Sequence, residues 1–217
     1  MSSAGKRAAG SAADFIPPQA TLPELRAAAA GCRGCRLWFD ATQTVFGEGD
    51  AETEVIFVGE QPGDEEDRQG HPFVGPAGRL LDKAFEAAGI DRRRVYLTNA
   101  VKHFKFSRKE SIRRRLHKKP NAAEVRACRP WLEEEIRVVR PKLIVALGST
   151  AAQVLLGRTF RVLAGRGKVV ESDWAGPVMA TVHPSSVLRA PDEDRERARR
   201  EFFRDIGRVA KELARRR

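Results

Sequence analysis

Four short apolar runs punctuate the chain. EVIFVGE (54–60), RVYLTNA (94–100), KLIVALG (142–148) and GPVMATV (176–182) have the length and β-branched content of buried strands. The segments between them are amphipathic at helical period. Thr21 and Glu24 form a capping box ahead of ELRAAAA, a short helix ended by Gly31. From Pro76, the residues Leu80, Leu81, Ala84, Phe85 and Ala88 share one helical face, and Gly89 closes the helix. Asn121 and Glu124 open another helix through AEVRACRPWLEEEIRVV, with a kink or restart expected at Pro130. STAAQVLLG predicts a short helix capped by Ser149. A final helix over about 192–215 buries Ala198, Phe202, Ile206, Val209 and Leu213 as one stripe. Residues 36–53 read as irregular, and QPGDEED (61–67) as a Pro-Gly turn followed by acids.

Strands alternating with helices predict an α/β fold: a three-layer α/β/α domain around a mostly parallel sheet. Residues 1–20 read as a disordered tail of small residues and 21–217 as a single domain. The carboxyl ends of parallel strands share one edge of a sheet, which is where α/β proteins gather their sites. Three strands end there in polar groups: Gln61 and Asp64, Asn99, and His183.

Charge changes this picture at one place. The chain of 217 residues carries 40 Lys+Arg against 29 Asp+Glu, a net charge of +11. The excess concentrates at the C-terminus and in KHFKFSRKESIRRRLHKK (102–119), which holds nine Lys and Arg and one acid, Glu110. It reads as the loop leaving the strand that ends at Asn99. A solvated basic loop satisfies such a run, and so does a polyanion such as nucleic acid. No apolar run approaches the ~18 residues of a membrane span. The N-terminus lacks a secretory apolar segment, so the chain is expected to be cytoplasmic. Three cysteines, Cys32, Cys35 and Cys128, do not make a disulfide scaffold. Cys32 and Cys35 form a C-x-x-C, a spacing that suits one metal or cluster and also a redox pair.

The motifs GEQPGDEED, HPFVGPAGRLL, VYLTNAVK, ACRPWL, IVALGSTAA and HPSSVLR, in this order, resemble the family 4 uracil-DNA glycosylases that carry an iron–sulfur cluster. The resemblance covers roughly residues 30–210. Two departures stand out. Gln61 replaces the usual Ala of GEAPG, and His103 replaces the cysteine that follows TN-x-V-K. Both look like the UdgX branch, whose K/R-R-R-I-H loop becomes covalently attached to uracil-containing DNA; here the loop reads RRRLH, with Leu116 in place of Ile.

The resemblance implies a [4Fe–4S] cluster held by Cys32, Cys35, His103 and Cys128. The same donors fit structural zinc, and His103 alone fits an apolar pocket. Phe73 is implied as the stacking platform for a flipped uracil and Asn99 as the reader of its edge, against ordinary core packing and a turn-forming Asn. His183 is implied as the donor to the leaving uracil, and Gln61 and Asp64 as positioning water or the sugar, with Gln61 also in the uracil site; Asp64 alone fits a helix or turn cap. Ser185 and Arg189 are expected to hold phosphate, and Arg115 to orient the loop or contact phosphate. His117, expected at the loop's tip, is implied as the nucleophile that attacks C1′ of the deoxyribose, with Glu60 orienting it or taking its proton. The expected partner is uracil-containing DNA, single- or double-stranded, met by a monomer with no membrane association. A multiple-turnover family 4 enzyme and a non-catalytic iron–sulfur DNA-binding module, indifferent to uracil, are the alternatives.

Overall fold

The computed structural model describes residues 10–109 and 114–216. Five strands form the central sheet: β1 (Val55–Gly59), β2 (Tyr96–Asn99), β5 (Leu143–Leu147), β6 (Val169–Ser172) and β7 (Gly176–Thr181), in the order β2-β1-β5-β7-β6. The first four in that order pair in parallel, and β6 adds an antiparallel edge. Side chains alternate across each central strand, as the pleat requires. Ile56, Val58, Ile144 and Ala146 enter one core; Val55, Phe57, Leu143, Val145 and Leu147 enter the other.

Helices cover both faces, giving the expected three layers. The first core takes α1 (Leu22–Ala29), α4 (Ala122–Val139) and α5 (Ser149–Leu156). The second takes α3 (Pro76–Ala88) and α8 (Asp192–Arg215), which pack on each other. The expected stripes hold: Leu81, Ala84 and Phe85 of α3 meet Phe202, Ile206 and Val209 of α8 in one apolar cluster. Such burial, at about 25 cal/mol per Å² of apolar surface, is the main driving force of this packing.

Four details differ from the sequence reading. The helix α4 runs through Pro130 as one element. The acids after Pro62-Gly63 form a short helix, α2 (Asp64–Gln69), whose N-terminal dipole accommodates them. The N-cap of α5 is Gly148, with φ +89°, and not Ser149. The basic stretch is a hairpin and not a loop: β3 (Phe106–Lys109) pairs antiparallel with β4 (Arg114–His117), and Glu110 lies outside the described residues. Residues 1–9 of the expected tail also lie outside them, while Ala12–Phe15 form a 3₁₀ turn that packs on α4, with Ala12 and Ala20 buried. Two further short helices, α6 (Val162–Gly165) and α7 (Pro184–Leu188), lie near the carboxyl edge of the sheet. No helix among the described residues is long and apolar enough to cross a membrane.

Candidate active site

The carboxyl ends of β1, β2, β5 and β7 open into a cavity of about 880 Å³. Glu60 to Glu66 line it after β1, Asn99 at the end of β2, Ser149 and Thr150 after β5, and His183 after β7. Phe73 and His117 complete the walls. The sequence thus brings together distant residues because parallel strands point their ends one way.

Phe73 and Asn99 are packed at the floor, 5% and 3% exposed. Phe73 sits in the left-handed region at φ 57°, a conformation costing about 1 kcal/mol or more for a side chain of this size. Two glycines make room for it. A Cβ on Gly78 would lie 1.7 Å from the Phe73 carbonyl oxygen, and one on Gly59 would meet both the Phe73 ring and Asn99 Oδ1. Gly59 pairs with Asn99 across β1 and β2, so the glycine lets the amide and the ring approach closely. The Phe73 ring lies near parallel to the His183 imidazole, with centroids 6.3 Å apart.

His183 caps α7. Its Nδ1 accepts from the Ser185 amide at 3.1 Å and lies 2.7 Å from Ser185 Oγ. An accepting Nδ1 puts the ring proton on Nε2 in the neutral form. Burial, then the nearby Arg189 and His117, push its pKa down to about 4, so the neutral donor persists at pH 7. Ser185 is therefore spent on the histidine, while Arg189 stands exposed at the rim.

His117 ends β4 and faces Phe106 across the hairpin, so it stands at the hairpin's root and not its tip. Its Nε2 lies 3.5 Å from Glu60 Oε1. Burial lowers its pKa, which Glu60 partly opposes and Arg189 reinforces. The other oxygen of Glu60 accepts a short hydrogen bond from Thr150 Oγ1. The hairpin's root is stapled by Gln61: its Nε2 donates to the carbonyls of Lys105 and Lys118, and its Oε1 accepts from the Lys105 amide. Arg115 is turned inward. It bonds Asp64, donates to Asp67 at 2.5 Å and to Thr42 at 3.1 Å, and lies over the rings of Phe104 and Phe106. Asp67, fully buried, also accepts from the Thr42 amide. Asp67, Thr42 and Thr150 gave no signal in sequence, since an acid after a Pro-Gly turn and a threonine opening a helix are ordinary.

Behind the cavity, Lys102 is fully buried. Its Nζ donates to Glu135, to Thr98 Oγ1 and to the Asn99 carbonyl, and its amide donates to Cys128 Sγ at 3.2 Å. Trp131 Nε1 donates to Cys32 Sγ at 3.3 Å. Burial pushes the Cys128 thiol up to about 12 and raises Cys35; Cys32 and Cys35 add to the rise at Cys128. His103 is buried, its Nε2 lies 2.9 Å from Thr44 Oγ1, and its Nδ1 has no hydrogen-bond partner among the described residues. His103 Nδ1 is thus an orphaned buried nitrogen, and the Cys32 and Cys128 sulfurs each accept an N–H···S bond; nitrogen and sulfur donors of this kind are chemically suited to a soft metal. The described residues hold no group of three or more His, Cys, Asp or Glu in single-ion geometry. One tetrahedral zinc needs its donors within about 4 Å of each other.

The profile of the Uracil DNA glycosylase superfamily matches residues 46–207. The chain belongs to that superfamily. Within it, the chain is 39% identical to the Type-4 uracil-DNA glycosylase of Thermotoga maritima over 161 residues, 73% of this chain and 78% of the relative. It is 36% identical to the Type-4 enzyme of Pyrobaculum aerophilum over 192 residues, 85% and 91% of the two chains. A Type-5 uracil-DNA glycosylase of the same organism is 33% identical over 156 residues, 63% of each chain. The superfamily match spans the whole cavity, from Glu60 to Arg189, and leaves Cys32 and Cys35 to its N-terminal side.

Proposed function

We propose that this superfamily member excises uracil from DNA and becomes joined to the resulting deoxyribose through His117. The observation that carries the reading is His117 Nε2 beside Glu60 Oε1 on the wall of the cavity that Phe73, Asn99 and His183 line. Uracil excision itself is supported by the Type-4 relatives.

A base within a duplex is unreachable, so the target must be flipped out or single-stranded. Phe73 offers the flipped ring a stacking face. The Asn99 amide accepts from uracil N3–H and donates to O4; cytosine presents the opposite pattern and leaves buried groups unpaired, at about 1–3 kcal/mol per group. Breaking the glycosidic bond leaves the electron pair on uracil N1 and develops positive charge on the sugar. The His183 Nε2–H donates to the leaving anion near O2. Glu60 frees the Nε2 lone pair of His117, which attacks C1′. A carbon–nitrogen bond to imidazole has no ready leaving group, so the adduct is durable.

Cys32, Cys35, His103 Nδ1 and Cys128 would hold a [4Fe–4S] cluster. It would supply structural cross-linking, because glycosidic cleavage needs no electron transfer. About four irons per chain with broad visible absorption supports this set; stoichiometric zinc overturns it.

The test is denaturing electrophoresis after incubation with uracil-containing single-stranded DNA. A denaturation-resistant shifted band is expected, and His117→Ala abolishes it. A wild-type protein that turns over many substrates and releases abasic DNA is instead a conventional family 4 enzyme. DNA binding with no uracil release makes the chain a binding module only.

A further inference from the structure

We infer that Thr150 is a positioning residue for the covalent step, holding the Glu60 carboxylate in the one orientation that serves His117. The inference rests on the reading of His117 as nucleophile.

Thr150 is the second residue of α5 and is 6% exposed. Because β1 and β5 are parallel neighbours, the start of α5 is set beside the residue that follows β1, which is Glu60. Thr150 Oγ1 donates to Glu60 Oε2, and Glu60 Oε1 then faces His117 Nε2 at 3.5 Å. The main chain of Glu60 is fixed as well, its carbonyl accepting from the Val101 amide at 3.0 Å. A glutamate on a cavity wall otherwise samples several rotamers and gives up that freedom only to a partner. The order hydroxyl, carboxylate, imidazole is that of a nucleophile oriented through its base by a third group.

The step balances as follows. The Nε2 proton of neutral His117 passes to Glu60 Oε1. The freed lone pair forms the Nε2–C1′ bond while the C1′–N1 bond breaks, its electron pair leaving on uracil. The product is a neutral N-substituted imidazole; Glu60 then returns its proton to water, and the uracil anion is protonated from solvent. Water competes with Nε2 for the same C1′, giving free abasic DNA. The ratio of adduct to free abasic product therefore reports how well Nε2 is presented.

Thr150→Val keeps the shape and removes the hydroxyl. The full-length protein is incubated with uracil-containing single-stranded DNA, and adduct and free abasic strand are quantified in each sample. The ratio falls about tenfold, the scale of one hydrogen bond to a charged group, and Thr150→Ser restores it. A merely structural role lowers both products together. An unchanged ratio, or a serine variant that behaves like valine, overturns the inference. If the valine variant yields no folded protein, Thr150→Ala carries the same comparison. Failure of the underlying reading looks different: wild type itself then gives no adduct.

Discussion

Gly78→Ala is the sharpest test of how the base pocket is built. Within a helix, replacing Gly by Ala ordinarily stabilises by about 1 kcal/mol. Gly78 lies in the first turn of α3, and its added methyl would stand 1.7 Å from the Phe73 carbonyl oxygen, where real contacts do not come under 3.0 Å. The obstacle is backbone, so no side chain can swing aside. Either α3 or the Phe73 peptide must shift by more than an ångström. Overpacking of this kind costs about 1–3 kcal/mol beyond the propensity gain. For a chain of this size that lowers Tm by about 2–12 °C. Phe73 moves with its peptide, so single-turnover uracil release is expected to fall about tenfold. Gly207 in α8 is the control, because a methyl there meets nothing within 4 Å. Calorimetry of both variants and quenched-flow release of uracil make the comparison. If Gly78→Ala raises Tm as Gly207→Ala does, the close approach of α3 to Phe73 is wrong.

Arg115→Met removes the partner of a fully buried carboxylate, Asp67, and is expected to cost about 3 kcal/mol in chemical denaturation; Arg115→Lys recovers only part, since a point charge cannot serve Asp64, Asp67 and Thr42 together, and full recovery by lysine would refute the clamp. The pKa of His183 lies near 4 in the folded chain against about 6.5 unfolded. The unfolded state therefore binds more protons between these values, so this contribution to stability is complete above pH 6.5 and is lost as pH falls towards 4. Tm measured from pH 7 to 4 should fall less steeply in His183→Gln, and an equal slope would refute the assignment.

The strands and the two long amphipathic helices were legible because their periods are dictated by burial. Val55 and Phe57 face one core and Ile56 and Val58 the other, which a continuous apolar run announces. The hairpin was hidden by its charges. Phe104 and Phe106 carry an alternating signal, but their apolar partner is the guanidinium plane of Arg115, which a hydrophobic pattern does not register. Most candidate site residues could be named through motifs, whereas their partners could not. Asp67 and Arg115 are 48 positions apart, and Thr150 and Glu60 are 90. Gln61 lines the cavity as its motif implies, but its three hydrogen bonds to the hairpin's root could not be read from sequence. Such pairings are products of topology.

The inward turn of the basic run has a consequence for how the protein meets a polyelectrolyte. Of the nine Lys and Arg in 102–119, Lys102 is paired with Glu135, Lys105 with Glu124, and Arg115 with Asp64 and Asp67. These three are neutralised before any nucleic acid arrives and have no phosphate to relieve of its counterion. At most six remain to do so. A single strand releases about 0.7 cation per phosphate neutralised. Ionic strength should therefore weaken the encounter through this stretch with a logarithmic slope no steeper than about −4, well short of what its composition suggests.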